Sequence, residues 1–190
     1  TGLGDVSVEV VPENISVFTN PTTGTTSYYK VVSPGAITWS SARSAALASS
    51  FEGLNGYLAN LTSTDESSFI QSKLSVNGWI GASDDYSIVN AAITARNALI
   101  TSGDITGEVT NSASYANQAA AEGKWYWVDG PEGGLQFLSS NSRTATVSGG
   151  TGQVTTAYAN WAVGEPNDSS GEHYAYAIGG GSWNDYPASL

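Results

Sequence analysis

Apolar and polar residues alternate along the chain on two periods, and each change of period marks an element. Val6-Ser7-Val8-Glu9-Val10 alternates with period two and predicts a strand, while Pro12, Pro21 and Gly24 prevent its regular continuation. Tyr28-Tyr29-Lys30-Val31-Val32 predicts another strand, ended by Pro34-Gly35. Thr38 is placed to cap a helix whose Trp39, Ala42, Ala46 and Leu47 share one face. Gly53 and Gly56 close that region, and residues 57–61 predict a short strand. Ser63 with Glu66 reads as a capping box opening a second helix, with Phe69, Ile70 and Leu74 turned inward. Trp79-Ile80-Gly81 is a further apolar strand. Residues 82–123 are polar and alanine-rich, with a helical pattern over 88–100 that sets Val89, Ala92, Ile93, Arg96 and Leu99 near one face. Trp125-Tyr126-Trp127-Val128-Asp129-Gly130 is an aromatic strand running into a turn, and residues 131–158 read as one long loop. Tyr174, Tyr176 and Ile178 alternate as a strand, Gly179-Gly180-Gly181 turns, and Trp183 begins the last strand. Two helices among short strands, with a long loop, predict the α+β class.

Length and charge narrow the function. The 190 residues suffice for one domain with a real core, over about 26–190 after a strand and linker at 1–25. A formal charge of −11 argues against nucleic acid and against anionic membrane surfaces. No run of 18 apolar residues could span a bilayer. The opening Thr1-Gly2-Leu3-Gly4-Asp5 has no basic leader, so the chain reads as a module of a larger protein whose targeting lies elsewhere. Zero cysteines exclude disulfides and thiolate sites, and one histidine excludes a multi-histidine zinc site.

The candidate chemistry is concentrated near the C-terminus. Glu165-Pro166-Asn167, then Glu172, then Trp183-Asn184-Asp185 supply three carboxylates and two amides within 21 residues. A hard cation such as Ca²⁺, which takes six to eight oxygen ligands, prefers this mixture. No Lys or Arg follows Arg143, so no cationic side chain lies nearby in sequence to neutralise these charges. Five protein oxygens also leave coordination positions open for a ligand.

The ordered motifs resemble the C-type lectin-like domain. In sequence they are Tyr28-Tyr29, Thr38-Trp39 with Ala42-Arg43, Tyr57-Leu58, Asp65-Glu66 with Phe69-Ile70, and Trp79-Ile80-Gly81. Trp125-Tyr126-Trp127 with Asp129-Gly130, Asn160-Trp161 with Gly164-Glu165-Pro166-Asn167, Glu172 and Trp183-Asn184-Asp185 follow. The resemblance spans about residues 26–190 and implies two helices flanking two small antiparallel sheets, with a long calcium-binding loop region. It implies that Glu165, Asn167, Glu172, Asn184 and Asp185 ligate one Ca²⁺, the first four also contacting sugar. Asp168 stands where some members ligate an auxiliary calcium. Two departures from the family are the missing cysteines and the long connection at 82–123, to which the sequence assigns no role. The cysteine-free character and Gly130-Pro131-Glu132-Gly133-Gly134 are similar to bacterial versions found in large calcium-dependent adhesins.

A vicinal diol on calcium needs, at each hydroxyl, an acceptor for the proton and a donor for the second lone pair. Glu165 accepts and the Asn167 amide donates; Glu172 and Asn184 can repeat the arrangement. A cis peptide at Pro166 would aim the first pair the same way. Glu-Pro-Asn resembles the mannose-type variant of the family, which implies fucose- or mannose-class glycans on cell surfaces, bound outside the cell. His173, Tyr186 or Tyr158 can offer an apolar face to the ring. The alternative is a structural calcium in a domain that binds a protein or an ice surface. A glycosidase would need Glu165 and Glu172 free as acid and nucleophile, which calcium would preclude, so no catalytic residue is assigned.

Overall fold

A computed structural model describes residues 14–32, 35–139, 157–179 and 181–189. The strand predicted at 6–10 and most of the second half of the predicted 131–158 loop lie outside the described residues.

The elements in order are β1 (Ser16–Thr19), β2 (Thr26–Tyr29), α1 (Trp39–Leu47), β3 (Ser50–Phe51), β4 (Leu54–Asn55), α2 (Thr64–Gln71), β5 (Gly78–Ser83) and α3 (Tyr86–Ser102). They continue with α4 (Gln118–Ala121), β6 (Lys124–Trp127), β7 (Gln136–Ser139), β8 (Tyr174–Ala177) and β9 (Trp183–Tyr186). β7, β6, β5, β8 and β9 form one antiparallel sheet in that order, and β1–β2 and β3–β4 are separate hairpins. The α+β class holds. The two helices expected of the fold are α1 and α2, and the 82–123 connection adds α3 and α4.

Strand alternation divides the large sheet into two faces. Ile80 and Ala82 of β5, Trp125 and Trp127 of β6, Ala175 and Ala177 of β8 and Trp183 of β9 point into one core, closed by Leu61, Ile70, Phe137 and Trp161. Trp125, Trp161 and Trp183 are at most 1% exposed, and their rings touch in chain order at 4.6 and 5.9 Å. A large aromatic buries 150–250 Å², so each contributes roughly 4–6 kcal/mol of gross transfer free energy. That aromatic packing does the holding in a fold without disulfides. On the opposite face Trp79, Tyr126 and Tyr174 meet α1 and α3.

The two short helices owe their starts to caps. Thr38 Oγ1 accepts from Ser41 N at 3.1 Å, and Trp39 then buries its ring while its Nε1 donates to Ile80 O at 3.0 Å. Arg43 locks α1 to the turn after β6 through a bidentate pair with Asp129 at 2.7 and 2.8 Å. Leu47, expected inward, is 47% exposed because the helix ends on it. At α2 the Ser63 half of the capping box forms, with Oγ accepting from Glu66 N at 3.2 Å. Glu66 does not return the bond to Ser63. Its carboxylate accepts from Thr62 N and Oγ1 at 2.7 and 3.0 Å and from the Tyr29 hydroxyl.

Some predicted strands differ. Residues 57–61 run without a strand, joined to β5 through Gly81 N to Ala59 O at 2.9 Å. Lys30, Val31 and Val32 fall beyond β2, and Val32 is 65% exposed. β7 lies inside the predicted long loop, where Phe137 and Leu138 supply the apolar residues.

The helical pattern at 88–100 is α3, extended at both ends. Asp85 caps it, its Oδ1 accepting from Ser87 N and Ile88 N, and Gly103 closes it in a left-handed conformation. Val89, Ala92, Ile93 and Arg96 are buried as the pattern predicts, and Leu99 is 44% exposed. Arg96 pairs bidentately with Glu108 and donates to Pro131 O and Gly133 O at 2.9 and 3.1 Å, tying the insertion to the β6–β7 turn. The approach is close enough to require glycine at 134: at φ +81°, a Cβ there would lie 2.7 Å from Ala92 O.

Candidate functional site

The loop between Trp161 and β8 is folded around a carboxylate from β9. Asp185 is fully buried on the core face of its strand, and its Oδ2 accepts from Asn167 N at 2.9 Å and Asp168 N at 2.8 Å. The Glu165–Pro166 bond before them is cis, as expected. Ser169 N then donates to Asn167 Oδ1 at 2.7 Å and Glu172 Oε2 at 3.2 Å, and Glu172 N donates to Asp168 Oδ1 at 3.0 Å. Four of the five predicted ligands, Glu165, Asn167, Glu172 and Asp185, are thus linked through one loop and one strand.

Asn184 is placed differently. Successive strand residues face opposite ways, so Asn184 lies on the face of Tyr176 and Tyr186 while Asp185 lies on that of Trp183. Its Nδ2 donates to the Tyr176 hydroxyl at 3.4 Å.

The electrostatics of the cluster are unbalanced. Burial, the adjacent Asp185 carboxyl, and the charges of Asp185 and Glu172 push Glu165 up to about 7. Burial and neighbouring carboxylates raise Glu172 as well, and burial raises Asp185 despite its backbone donors. Among the described residues, Glu165 Oε2, Asp185 Oδ1 and Asn184 Oδ1 are buried oxygens with no hydrogen-bond partner. A buried acceptor without a donor is destabilising by about 1–3 kcal/mol, more when charged. The oxygens of Glu165 and Asp185, in the predicted ligand set, are what a cation would satisfy, so the carboxylates present fit Ca²⁺.

The remaining predicted positions fall as follows. Tyr158 packs against Trp183 at 5.7 Å between ring centres, and Tyr186 against Trp79 and Tyr176. Asp168 and His173 turn towards a second group that sequence reasoning missed, Asp84 and Glu122. Asp84 follows β5 and Glu122 follows α4, so the two ends of the insertion meet here. The available signals were the Asp84-Asp85 pair after a strand and Glu122-Gly123 before one. Asn60 of Asn60-Leu61-Thr62, a glycosylation acceptor only in a eukaryotic secretory host, is 4% exposed and donates to Asp129 O and Glu132, so its amide is committed to the fold.

With this architecture, the chain has the C-type lectin-like fold. The carbohydrate-recognition domain of the human scavenger receptor C-type lectin superposes with a TM-score of 0.50 at 17% identity, covering 95% of this chain and 91% of that one. Its mouse counterpart gives 0.49 at 18% identity, covering 95% and 89%. Among curated proteins, Halomucin of Haloquadratum walsbyi is 32% identical over 182 residues, which is 95% of this chain and 2% of Halomucin. No model of a known protein family matches the chain. Among the described residues no helix is long and apolar enough to cross a membrane.

Proposed function

We propose that this domain is a calcium-dependent carbohydrate-binding module of a longer protein at the cell surface, with fucose- and mannose-class glycans as ligands. The observation that carries the reading is the pair of buried oxygens on Glu165 and Asp185, unpartnered among the described residues, where the loop after Trp161 meets β9 and its carboxyls resist ionisation. Glu165, Asn167, Glu172, Asn184 and Asp185 would hold the ion. Bound Ca²⁺ supplies Lewis acidity to two neighbouring hydroxyls while its charge neutralises the carboxylates. Glu165 would accept a hydrogen bond from one hydroxyl, and the exposed Asn167 amide would donate to that oxygen's remaining lone pair. Glu172 accepts from the second hydroxyl. The match to a small part of the much longer Halomucin supports a modular setting. One small solvated contact gives weak affinity for a monosaccharide, so adhesion rests on many copies or many ligands acting together.

A second reading has one observation in its favour. Asn184 lies on the opposite face of β9 from Asp185 and gives one amide hydrogen to Tyr176, which takes the second hydroxyl's donor away from the cluster. That suits a structural calcium beneath a surface that binds protein or another non-sugar partner.

A glycan array probed in millimolar calcium and again in EDTA separates the two. Calcium-dependent signal on fucosylated or mannosylated glycans is expected. A blank array from a domain that demonstrably binds calcium would favour the structural ion. Glu165→Gln with Asn167→Asp should shift preference towards galactose, and an unchanged preference would place the sugar elsewhere.

A further inference from the structure

The turn that leads into the candidate site holds up a side chain that the fold leaves bare. Val163 is 84% exposed, more than any other large apolar residue among those described, and it stands two residues before Glu165. Its position is nevertheless fixed. Trp161 is 1% exposed and bridges Trp183, and Ala162 N donates to Trp183 O at 2.8 Å. Glu165 N donates to Ala162 O at 3.2 Å, closing a four-residue turn with Val163 and Gly164 at its tip. Gly164 has a φ of +92°, the left-handed value that the third residue of a type II turn requires. A Cβ there would meet nothing within 4 Å, so glycine serves the dihedral alone and the space over the turn is open.

What the turn offers to a ligand follows from its side chains. Ala162, Val163 and Gly164 carry no side-chain donor or acceptor. The Glu165 and Ala162 amides are already spent on the backbone bonds that shape the turn. A methyl group lying over Val163 leaves water favourably, whereas a hydroxyl there gives up water for no side-chain partner. Two residues of chain reach at most about 7 Å, so Val163 Cα lies within that distance of Glu165 Cα. A sugar held at Glu165 is thus close enough for its ring substituents to meet Val163. The ordering that such a contact would otherwise cost is already met by the closed turn.

We propose that Val163 sets the sugar class of the site, favouring 6-deoxyhexoses over the hexoses that carry a hydroxyl at the same carbon. The inference rests on the carbohydrate reading and decides between its two sugar classes in favour of fucose. In a pyranose held through two ring hydroxyls, the substituent on C5 is a methyl group in the 6-deoxy sugars and a hydroxymethyl group in mannose. Val163 covers the first and has nothing to give the second. Burying one carbon of this size changes affinity by about fourfold, which sets the scale of the effect.

The test uses the calcium-loaded domain and two sugar pairs whose members differ by that single hydroxyl: L-fucose against L-galactose, and D-rhamnose against D-mannose. Ligand-observed NMR titration gives each affinity, and calcium affinity is measured in parallel by calorimetry. The 6-deoxy member of each pair should bind about three- to tenfold more tightly. Val163→Ser should bring both ratios close to one with calcium affinity unchanged, and Val163→Leu, which keeps an apolar contact, should preserve them. At 84% exposure neither variant disturbs the core. Equal affinities within the pairs, or ratios unmoved by Val163→Ser, would overturn the inference and leave the carbohydrate reading standing. A calcium-loaded domain that binds none of the four sugars would overturn both.

Discussion

Glu165 is the residue through which pH acts on the calcium cluster. In the folded protein it gives up its proton at about 7, against an ordinary value of 4.5. Between those values the folded state holds more protons than the unfolded one, so stability falls as pH rises. Glu172 and Asp185 are raised for related reasons and act in the same direction. Without metal, the melting temperature should therefore decline from pH 5 to pH 8. Calcium reverses the trend by binding the ionised form, so its stabilisation should grow over the same interval. Melting curves with EDTA and with calcium at several pH values check this, and a flat EDTA series would refute it. Asp185→Asn should abolish most calcium stabilisation. It should also lower the pH at which Glu165 ionises, since the neighbouring charge is gone. Equilibrium calcium titration and a carboxyl-resolved NMR titration measure both effects.

At the scale of elements, the caps, the aromatic strands and the buried face of α3 are legible because each depends on neighbours in sequence. Thr38 and Ser63 cap helices because a short polar side chain can reach its own helix's first amides, and Asp85, which the pattern beginning at 88 does not single out, does the same for α3. Other details escape because the deciding partner is distant. Glu66 forgoes the return bond of a capping box for Thr62 and Tyr29. Leu47 has the right spacing for burial, yet among the described residues no element covers the end of α1. Arg96 reads as one polar residue on an apolar face, and only the fold supplies its partners, Glu108, Pro131 and Gly133. It is 5% exposed, so Arg96→Ala leaves a carboxylate and two carbonyls unmatched and should cost about 3–5 kcal/mol. Chemical denaturation measures the loss. A change below about 1 kcal/mol, typical of a surface ion pair, would mean that the insertion is not fastened there.

For the molecule as a whole, charge and aromatic packing oppose each other. A net −11 on 190 residues, with 6 basic residues, makes compaction work against self-repulsion. The tryptophan core and the carboxylate clusters on β9 and at the insertion are drawn together in spite of it. Salt shortens the range of that repulsion, to about 3 Å at molar concentration. Calcium-free protein should therefore melt at a higher temperature in molar NaCl than in dilute buffer. Scanning calorimetry in EDTA would register the rise, and an unchanged melting temperature would show that charge does not limit stability.

The sequence by itself determined the fold class and the starts of α1 and α2, and it marked the tryptophans as core and the Glu165-Pro166-Asn167, Glu172 and Asn184-Asp185 set as the candidate site. Those features rest on short-range periodicity, on side-chain type and on an ordered series of motifs. The tertiary structure alone decided that Asp185 organises the loop while Asn184 turns to Tyr176, because strand alternation sends adjacent side chains to opposite faces. It alone joined Asp84 and Glu122 to His173. The residues between β5 and β6 form helices that close on themselves, and no local pattern in a sequence records where the two ends of such an excursion meet.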